Sequence, residues 1–355
     1  NPGYDQVVLH LFFRQPAGRF FTRTSDHREV PQVQLDLAAI SGRPPVATPA
    51  AVRGRCAAVL AALADDRLDE LIHSAAWFRL HRKAGRLARA CDAHGADQAV
   101  YQALAQALGY AGNSLPFLLL AQKLPLKTLR KSSERIEARL FGASGFLERI
   151  AAGTAPASDS DYLKSLWRVW WKARGSEPRT VVDGSLWNLA GARPANHPQR
   201  RLAALAEIAR NWRKLRSALD AGGAAAACAE LAAFDHPFWS RHYTLTSKPS
   251  PAPLALLGEN RILDIQTNVL LPFLHLHGRD VAGGFLRGRA PLINRHVKTA
   301  ARRVLADRPD AAQRHMQTIA GQQGLLEIYR SHCQRDLSDC LQCPFPEKLE
   351  SGWTA

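Results

Sequence analysis

The chain opens on an apolar run at residues 7–13, Val7, Val8, Leu9, His10, Leu11, Phe12 and Phe13. An uninterrupted apolar stretch of strand length predicts a β-strand covered on both faces. Gln15, Pro16 and Gly18 end it. A second strand is predicted over 30–37, where Val33, Leu35 and Leu37 alternate with Gln32, Gln34 and Asp36. Residues 38–50, rich in Pro, Ala and Gly, read as a linker. Beyond them the period changes. Apolar residues, mostly Ala and Leu, recur at three- and four-residue steps and predict helices over 51–64, 66–91, 96–110, 113–122, 126–140 and 143–152. The pattern continues after a small-residue loop at 153–160, with helices over 161–173, 197–218, 220–233, 258–277, 295–306, 309–320 and 321–334. Asp159 or Ser160 is placed to cap the 161–173 helix. The 258–277 segment is apolar nearly all round after Asn268, which predicts a buried helix kinked at Pro272. The expected fold is α+β and predominantly α-helical. Two strands left from an α/β unit occupy 1–45, and a large helical domain occupies 46–355.

Charge changes the picture more than bulk composition does. Hydrophobic residues make up 46% of 355, enough for a sizeable core, while the net charge is +16. A surplus of that size points to a polyanionic partner, either nucleic acid or an anionic membrane surface. No apolar run reaches the roughly 18 residues of a membrane span. The apolar helix faces read as core-filling rather than interfacial, so nucleic acid is the expected partner and a membrane is not. Six cysteines, unevenly spaced, do not make a disulfide framework, and a reducing cytoplasm is the expected setting. The opening Asn1-Pro2-Gly3-Tyr4 carries no Met and is expected to follow an earlier segment.

Basic residues cluster on particular helices. Lys164, Arg168, Trp171 and Lys172 fall on roughly one face of the 161–173 helix, opposite an apolar stripe of Leu163, Leu166, Trp167 and Trp170. A tryptophan among cations suits base stacking on a single strand; the competing reading is a solvated face. Arg79, Arg82, Lys83, Arg86 and Arg89 form a similar run, as do Lys123, Lys127, Arg130 and Lys131. Faces of this kind suit phosphate contact without base reading. Arg193, Arg200 and Arg201 gather at the start of the 197–218 helix, with Asn196 as its expected cap and Pro198 in its first turn. Helix N-termini and arginines both favour phosphate, against the alternative of a rigid connector. His10, inside the first strand, is either packed in a sheet or aimed at a site.

The last thirty-odd residues carry the most specific chemistry. Cys333, Cys340 and Cys343 follow a C-x6-C-x2-C pattern ahead of Pro344. Such spacing suits thiolate ligands of zinc or an iron–sulfur cluster. Cys56 is the expected fourth ligand, with His332 as runner-up. Four protein ligands leave no open position, so the site would be a structural staple joining the two ends of the helical domain. The alternative is ordinary reduced thiols. Cys91 and Cys228 read as small core hydrophobes.

Several stretches resemble one bacterial family, domain of unknown function 2851. They include the opening Asn1-Pro2-Gly3-Tyr4, the stretch from Gln102 to Gly109 and Tyr110, Asn113, Pro116-Phe117, Leu140-Phe141-Gly142 and Gly145-Phe146-Leu147. Arg193-Pro194-Ala195-Asn196-His197-Pro198, Asn268-Val269, Pro272-Phe273 and Gln323-Gly324-Leu325 through Cys343 also match in order. The resemblance spans essentially the whole chain. It implies an upstream segment similar to a PD-(D/E)xK nuclease core, in which an Asp and a Glu hold magnesium for phosphodiester hydrolysis. His10 would then stand on a later strand of that core, as the catalytic candidate present here. Some nucleases of that kind carry an iron–sulfur staple with one early and three late cysteines, the layout of Cys56, Cys333, Cys340 and Cys343. Their close pair comes first among the late three, unlike here, which leaves zinc open. The sequence therefore suggests a nucleic-acid-binding part of a metal-dependent nuclease-like protein, this chain being inactive alone. The alternative is a non-enzymatic helical adaptor or scaffold with a protein partner and a structural metal.

Overall fold

The computed structural model describes residues 7–12, 23, 24, 26–35, 53–151, 160–173, 175, 182–189, 193–334 and 340–350. The linker expected over 38–50, the loop over 153–159 and the candidate cap Asp159 lie outside the described residues. The chain divides into two compact units, Asn1–Val52 and Arg53–Ala355. The fold is α+β and mostly helical, as the periodicity indicates.

In the first unit, β1 (His10–Phe12) pairs in parallel with β2 (Gln32–Gln34), His10 opposite Gln32, Leu11 opposite Val33 and Phe12 opposite Gln34. Both strands are shorter than their apolar patterns. Leu11 and Val33, directly opposed, are 52% and 45% exposed, and Val8 is exposed as well. The expectation of a strand covered on both faces is therefore corrected. A two-stranded pair of this length has too little surface to build a core of its own.

The helical unit begins with α1 (Cys56–Ala62), α2 (Asp65–His94), α3 (Ala96–Leu108), α4 (Tyr110–Lys123) and α5 (Leu126–Leu129). It continues through α6 (Ile136–Ala143), α7 (Phe146–Ala151), α8 (Asp161–Ala173), α9 (Pro198–Arg210) and α10 (Trp212–Ala232). The last stretch holds α11 (Glu259–Ile265), α12 (Leu271–Leu276), α13 (Ala282–Arg287), α14 (Arg295–Val304), α15 (Pro309–Gln317), α16 (Ile319–Ile328) and α17 (Phe345–Glu350). Among the described residues no helix is long and apolar enough to cross a membrane.

Two long helices form the frame. α2 starts with Asp65 and Asp66 against its positive end and stops at Gly95, whose φ of +81° turns the chain into α3. One buried stripe of α2, including Leu68, Ile72, Leu80, Lys83 and Leu87, packs on α16 and α12. The approach to α16 is close because residue 324 is glycine: a Cβ there would lie 2.1 Å from the Ile72 carbonyl oxygen. α9 is the central helix, buried at every position from Pro198 to Ala209. Its Leu, Ala and Ile side chains fill the interior, and Gln199, Arg200, Arg201 and Glu207 are buried with them.

Predicted breaks appear with local causes. The 197–218 helix is divided at Asn211, and the next break falls inside α10 at Gly223, with φ +70°. The expected kink at Pro272 is a π-helical turn, Gln266–Leu270, between α11 and α12. Pro272 has no N–H for the Asn268 carbonyl and its ring crowds that oxygen, so the helix widens one turn earlier.

The core has two parts. The larger contains α9 and its neighbours, with Tyr101, Phe117, Phe141, Trp239 and Phe273 fully buried. The smaller joins the start of the unit to its end, packing Cys56 and Leu60 with Ile72, Val304, Leu325, Ile328 and Phe345.

Candidate functional site

α8 presents the clearest surface feature. Ser160 caps it, its Oγ accepting from the Leu163 N–H at 3.3 Å. Leu163, Leu166, Trp170 and Ala173 are its buried face. Three bonds hold that face in place. Trp170 Nε1 donates to Glu148 at 2.8 Å, Tyr162 Oη donates to Glu137 at 2.5 Å, and Trp239 Nε1 donates to Tyr162 Oη at 2.8 Å. Burial opposes ionisation of Glu137, but the bonds from His236 and Tyr162 and the charge of Arg210 keep its carboxyl below the usual range. Gly142 of α6 lies flat against Trp170; a Cβ there would fall 2.1 Å from the indole.

The opposite face of α8 carries Lys164, Arg168, Trp171 and Lys172, which together with Trp167 line a shallow depression of about 420 Å³. Trp171 is 52% exposed. Its ring centroid is 5.7 Å from that of Trp167, at an interplanar angle of 39°. Trp167, expected in the apolar stripe, is half-buried and is a wall of the depression instead. The structure thus brings four predicted residues together and adds a fifth. The i, i+4 spacing of Trp167 and Trp171 was the signal for that addition.

The arginines of α9 behave differently. Arg193 is exposed, ahead of the helix. Arg200 and Arg201, expected to contact phosphate, are 1% and 4% exposed. The Arg200 guanidinium donates to the carbonyls of Trp239, His242 and Ala255, and Arg201 donates to Leu256 O and to Asn196 Oδ1. Both tie α9 to the 236–257 loop, and no phosphate can reach them there. Asn196 is thereby occupied, and His197 replaces it as cap, with Nδ1 accepting from the Gln199 N–H at 3.4 Å. Burial pushes the His197 imidazole down to about 4, so it stays neutral and able to accept.

Part of the basic run on α2 also turns inward, while Arg86 and Arg89 stay exposed. Arg79 and Arg82 both reach Glu327 of α16, at 2.9 and 2.7 Å. Lys83, buried, donates to Asn268 Oδ1 at 2.7 Å and to Gln323 Oε1 at 2.5 Å. Burial, with Arg79, Arg86 and Arg82 nearby, pushes its ammonium well below the usual lysine range. Sequence reading missed this network. Its signal was Gln323 and Glu327, four residues apart on one face of α16.

Cys56, Cys333, Cys340 and Cys343 come from the two ends of the helical unit. Burial pushes the Cys56 thiol up to about 12, and charge on Cys333, Cys340 and Cys343 pushes the same way. Cys333 is raised to about 11, first by burial. Cys56 is buried in the smaller core cluster and Cys343 packs against that cluster. The Arg55 N–H lies 3.2 Å from Cys340 Sγ, and Arg55 pairs with Glu347 of α17. Gly54 N donates to Arg303 O at 2.9 Å, at a point where a Cβ would be only 2.6 Å from that oxygen. No group of three or more His, Cys, Asp or Glu side chains among the described residues has the arrangement to hold a metal ion. The runner-up ligand His332 stacks on Phe345, with centroids 4.2 Å apart. His10 is half-buried on β1, its ring tilted against Phe12.

The family profile described as "Protein of unknown function (DUF2851)" matches residues 1–290. No curated protein and no solved structure matches the chain.

Proposed function

The chain belongs to the DUF2851 family, and from that premise we propose that its helical unit grips single-stranded nucleic acid without reading sequence. The α8 face carries this reading: an exposed Trp171 beside Trp167, ringed by Lys164, Arg168 and Lys172. Indole faces accept any base, and stacking is worth about 1–3 kcal/mol per base. The three cations track the phosphates and release counterions on binding. In the nuclease-like reading, magnesium-dependent cleavage belongs to a core that includes His10, with its acidic ligands in another segment. This chain with magnesium then leaves DNA uncut, and a nicking assay that shows cutting overturns that clause.

The test is fluorescence anisotropy of the full chain with single- and double-stranded oligonucleotides across a salt series. Binding that prefers the single strand, weakens steeply with salt and drops about 5- to 150-fold in Trp171→Ala supports the reading. No binding even at low salt overturns it in favour of the adaptor.

A second component of the proposal rests on donor chemistry alone: a structural zinc or iron–sulfur centre held by Cys56, Cys333, Cys340 and Cys343, whose side chains would have to close up around the metal from the arrangement described above. Four thiols from opposite ends of the unit form the donor set that both take. Metal and acid-labile sulfide are measured on anaerobically purified protein. Iron with sulfide, or zinc, lost in both Cys56→Ser and Cys343→Ser supports the shared site. Metal kept in Cys56→Ser confines it to the last three cysteines.

A further inference from the structure

A cavity of about 660 Å³ opens where α2, α3, α4 and the turn joining α11 to α12 meet. Its volume suits a small molecule of drug or nucleotide size. The walls hold two arginine cations, Arg86 and Arg261, and the buried Lys83 against one carboxylate, Asp264. Carboxamides from α3 and α4, Gln102, Gln106 and Gln122, line it as well. Such amides both donate and accept, as the edge of a heterocycle requires.

Arg261 is the unusual member. It is 5% exposed, and one nitrogen, Nη1, carries its bonds: 2.9 Å to the Ala107 carbonyl and 3.3 Å to Asp264 Oδ2. Nε and Nη2 are buried with no hydrogen-bond partner. Above the guanidinium lies the Tyr110 ring, 3.1 Å from centroid to Cζ. Tyr110 has φ +55°, a left-handed conformation that a bulky residue adopts at a cost, and it is 43% exposed. An exposed ring carried on strained backbone thus covers a buried cation with two unspent donors. A phosphate offers paired oxygens that match a guanidinium fork. Arg86, exposed on α2, lines the same cavity and supplies a second positive charge.

We propose that this cavity binds a small phosphate-bearing heterocycle of mononucleotide size. Its phosphate lies between Arg86 and Arg261 once the Tyr110 ring swings aside, and its ring faces the glutamines of α3 and α4. This site is separate from the α8 face and does not depend on that face gripping a strand.

Equilibrium dialysis of the full chain tests it, with AMP, adenosine and acetate as probes at matched ionic strength. The expected result is AMP bound at least tenfold tighter than adenosine, with no retention of acetate. Arg86→Glu, at an exposed position, lowers AMP affinity at least tenfold while the far-ultraviolet spectrum stays unchanged. Trp171→Ala leaves AMP affinity unchanged, which separates this cavity from α8. Adenosine binding as well as AMP, acetate competing as well as AMP, or Arg86→Glu binding AMP normally would each overturn the proposal.

Discussion

α8 and α9 both carry clustered cations near aromatic or proline-rich sequence, yet α8 keeps Arg168 at the surface while α9 sinks Arg200 and Arg201 to 1% and 4% exposure. The helices differ in how much of their circumference is apolar. α8 buries one stripe, every third or fourth residue. α9 buries Leu202, Ala203, Ala204, Leu205, Ala206, Ile208 and Ala209, which leaves Arg200 and Arg201 no outward side, while Arg210 at its end stays exposed. Acceptors decide the rest. Buried arginines persist where carbonyls or carboxylates meet them, and the 236–257 loop supplies carbonyls to α9 as Glu327 supplies a carboxylate to α2. Clustered charge marks an interface; whether that interface is internal follows from the apolar residues around it.

The sharpest way to break the comparison is to truncate one arginine on each helix. Arg200→Ala leaves the Trp239, His242 and Ala255 carbonyls without their donor and opens a void. It is expected to cost about 3–5 kcal/mol of unfolding free energy. Arg168→Ala is expected to stay within about 0.5 kcal/mol. Urea unfolding measures both. An Arg200→Ala protein of normal stability with lost nucleic-acid binding would reverse the two assignments.

Acid separates the helices next. His197 caps α9 only while its Nδ1 is neutral, and burial pushes it down to about 4 from an ordinary 6.5. The folded-state value is depressed, so the contribution is complete above about pH 6.5 and is lost as pH falls toward 4. It amounts to about 3 kcal/mol at most. Burial also lowers His275 and His315, which act in the same direction. The diagnostic is therefore the difference from His197→Asn, which keeps a capping oxygen and does not titrate. Its stability curve should be flatter between pH 6.5 and 4. Parallel curves would show that the cap does not depend on protonation.

The helical frame was legible because periodicity reports burial directly. Ala/Leu spacing placed most helices, and the 161–173 boundaries match the observed α8. Proline and glycine chemistry placed the Pro272 irregularity, though as a π turn rather than a simple kink. The strands were less legible: the 7–13 run implies cover on both faces, while Leu11 and Val33 are half exposed. At the candidate sites, four α8 residues were readable from spacing alone. Arg200, Arg201 and Lys83 were not, because apart from Asn196 their partners stand 39 to 240 positions away. No local pattern contains that information.

Glycine substitutions sharpen the contrast at smaller amplitude. Gly142→Ala drives a methyl into the Trp170 indole and should cost about 1–3 kcal/mol. Because Trp170 seats α8, the same variant should lose part of its oligonucleotide binding and change its tryptophan emission. Gly85→Ala, inside α2 with nothing within 4 Å of its Cβ, should instead stabilise by about 0.5–1 kcal/mol and leave binding alone. Equal stability of the two variants would mean that α8 is not seated through Trp170.

The smallest expected effect is the most specific. Lys164→Gln and Lys172→Gln remove single charges from the α8 depression and leave its indoles in place. Neither should move stability by more than about 0.5 kcal/mol. Each should lower the slope of log affinity against log salt by about 0.7, the share of one phosphate contact on a single strand. The double variant should lower it by about 1.4. Such additivity distinguishes phosphate contact from a general loss of positive field, which would shift affinity at every salt concentration without changing the slope by whole contacts. Unchanged slopes in both variants would make α8 a solvated surface. The difference between α8 and α9 would then lie in burial alone.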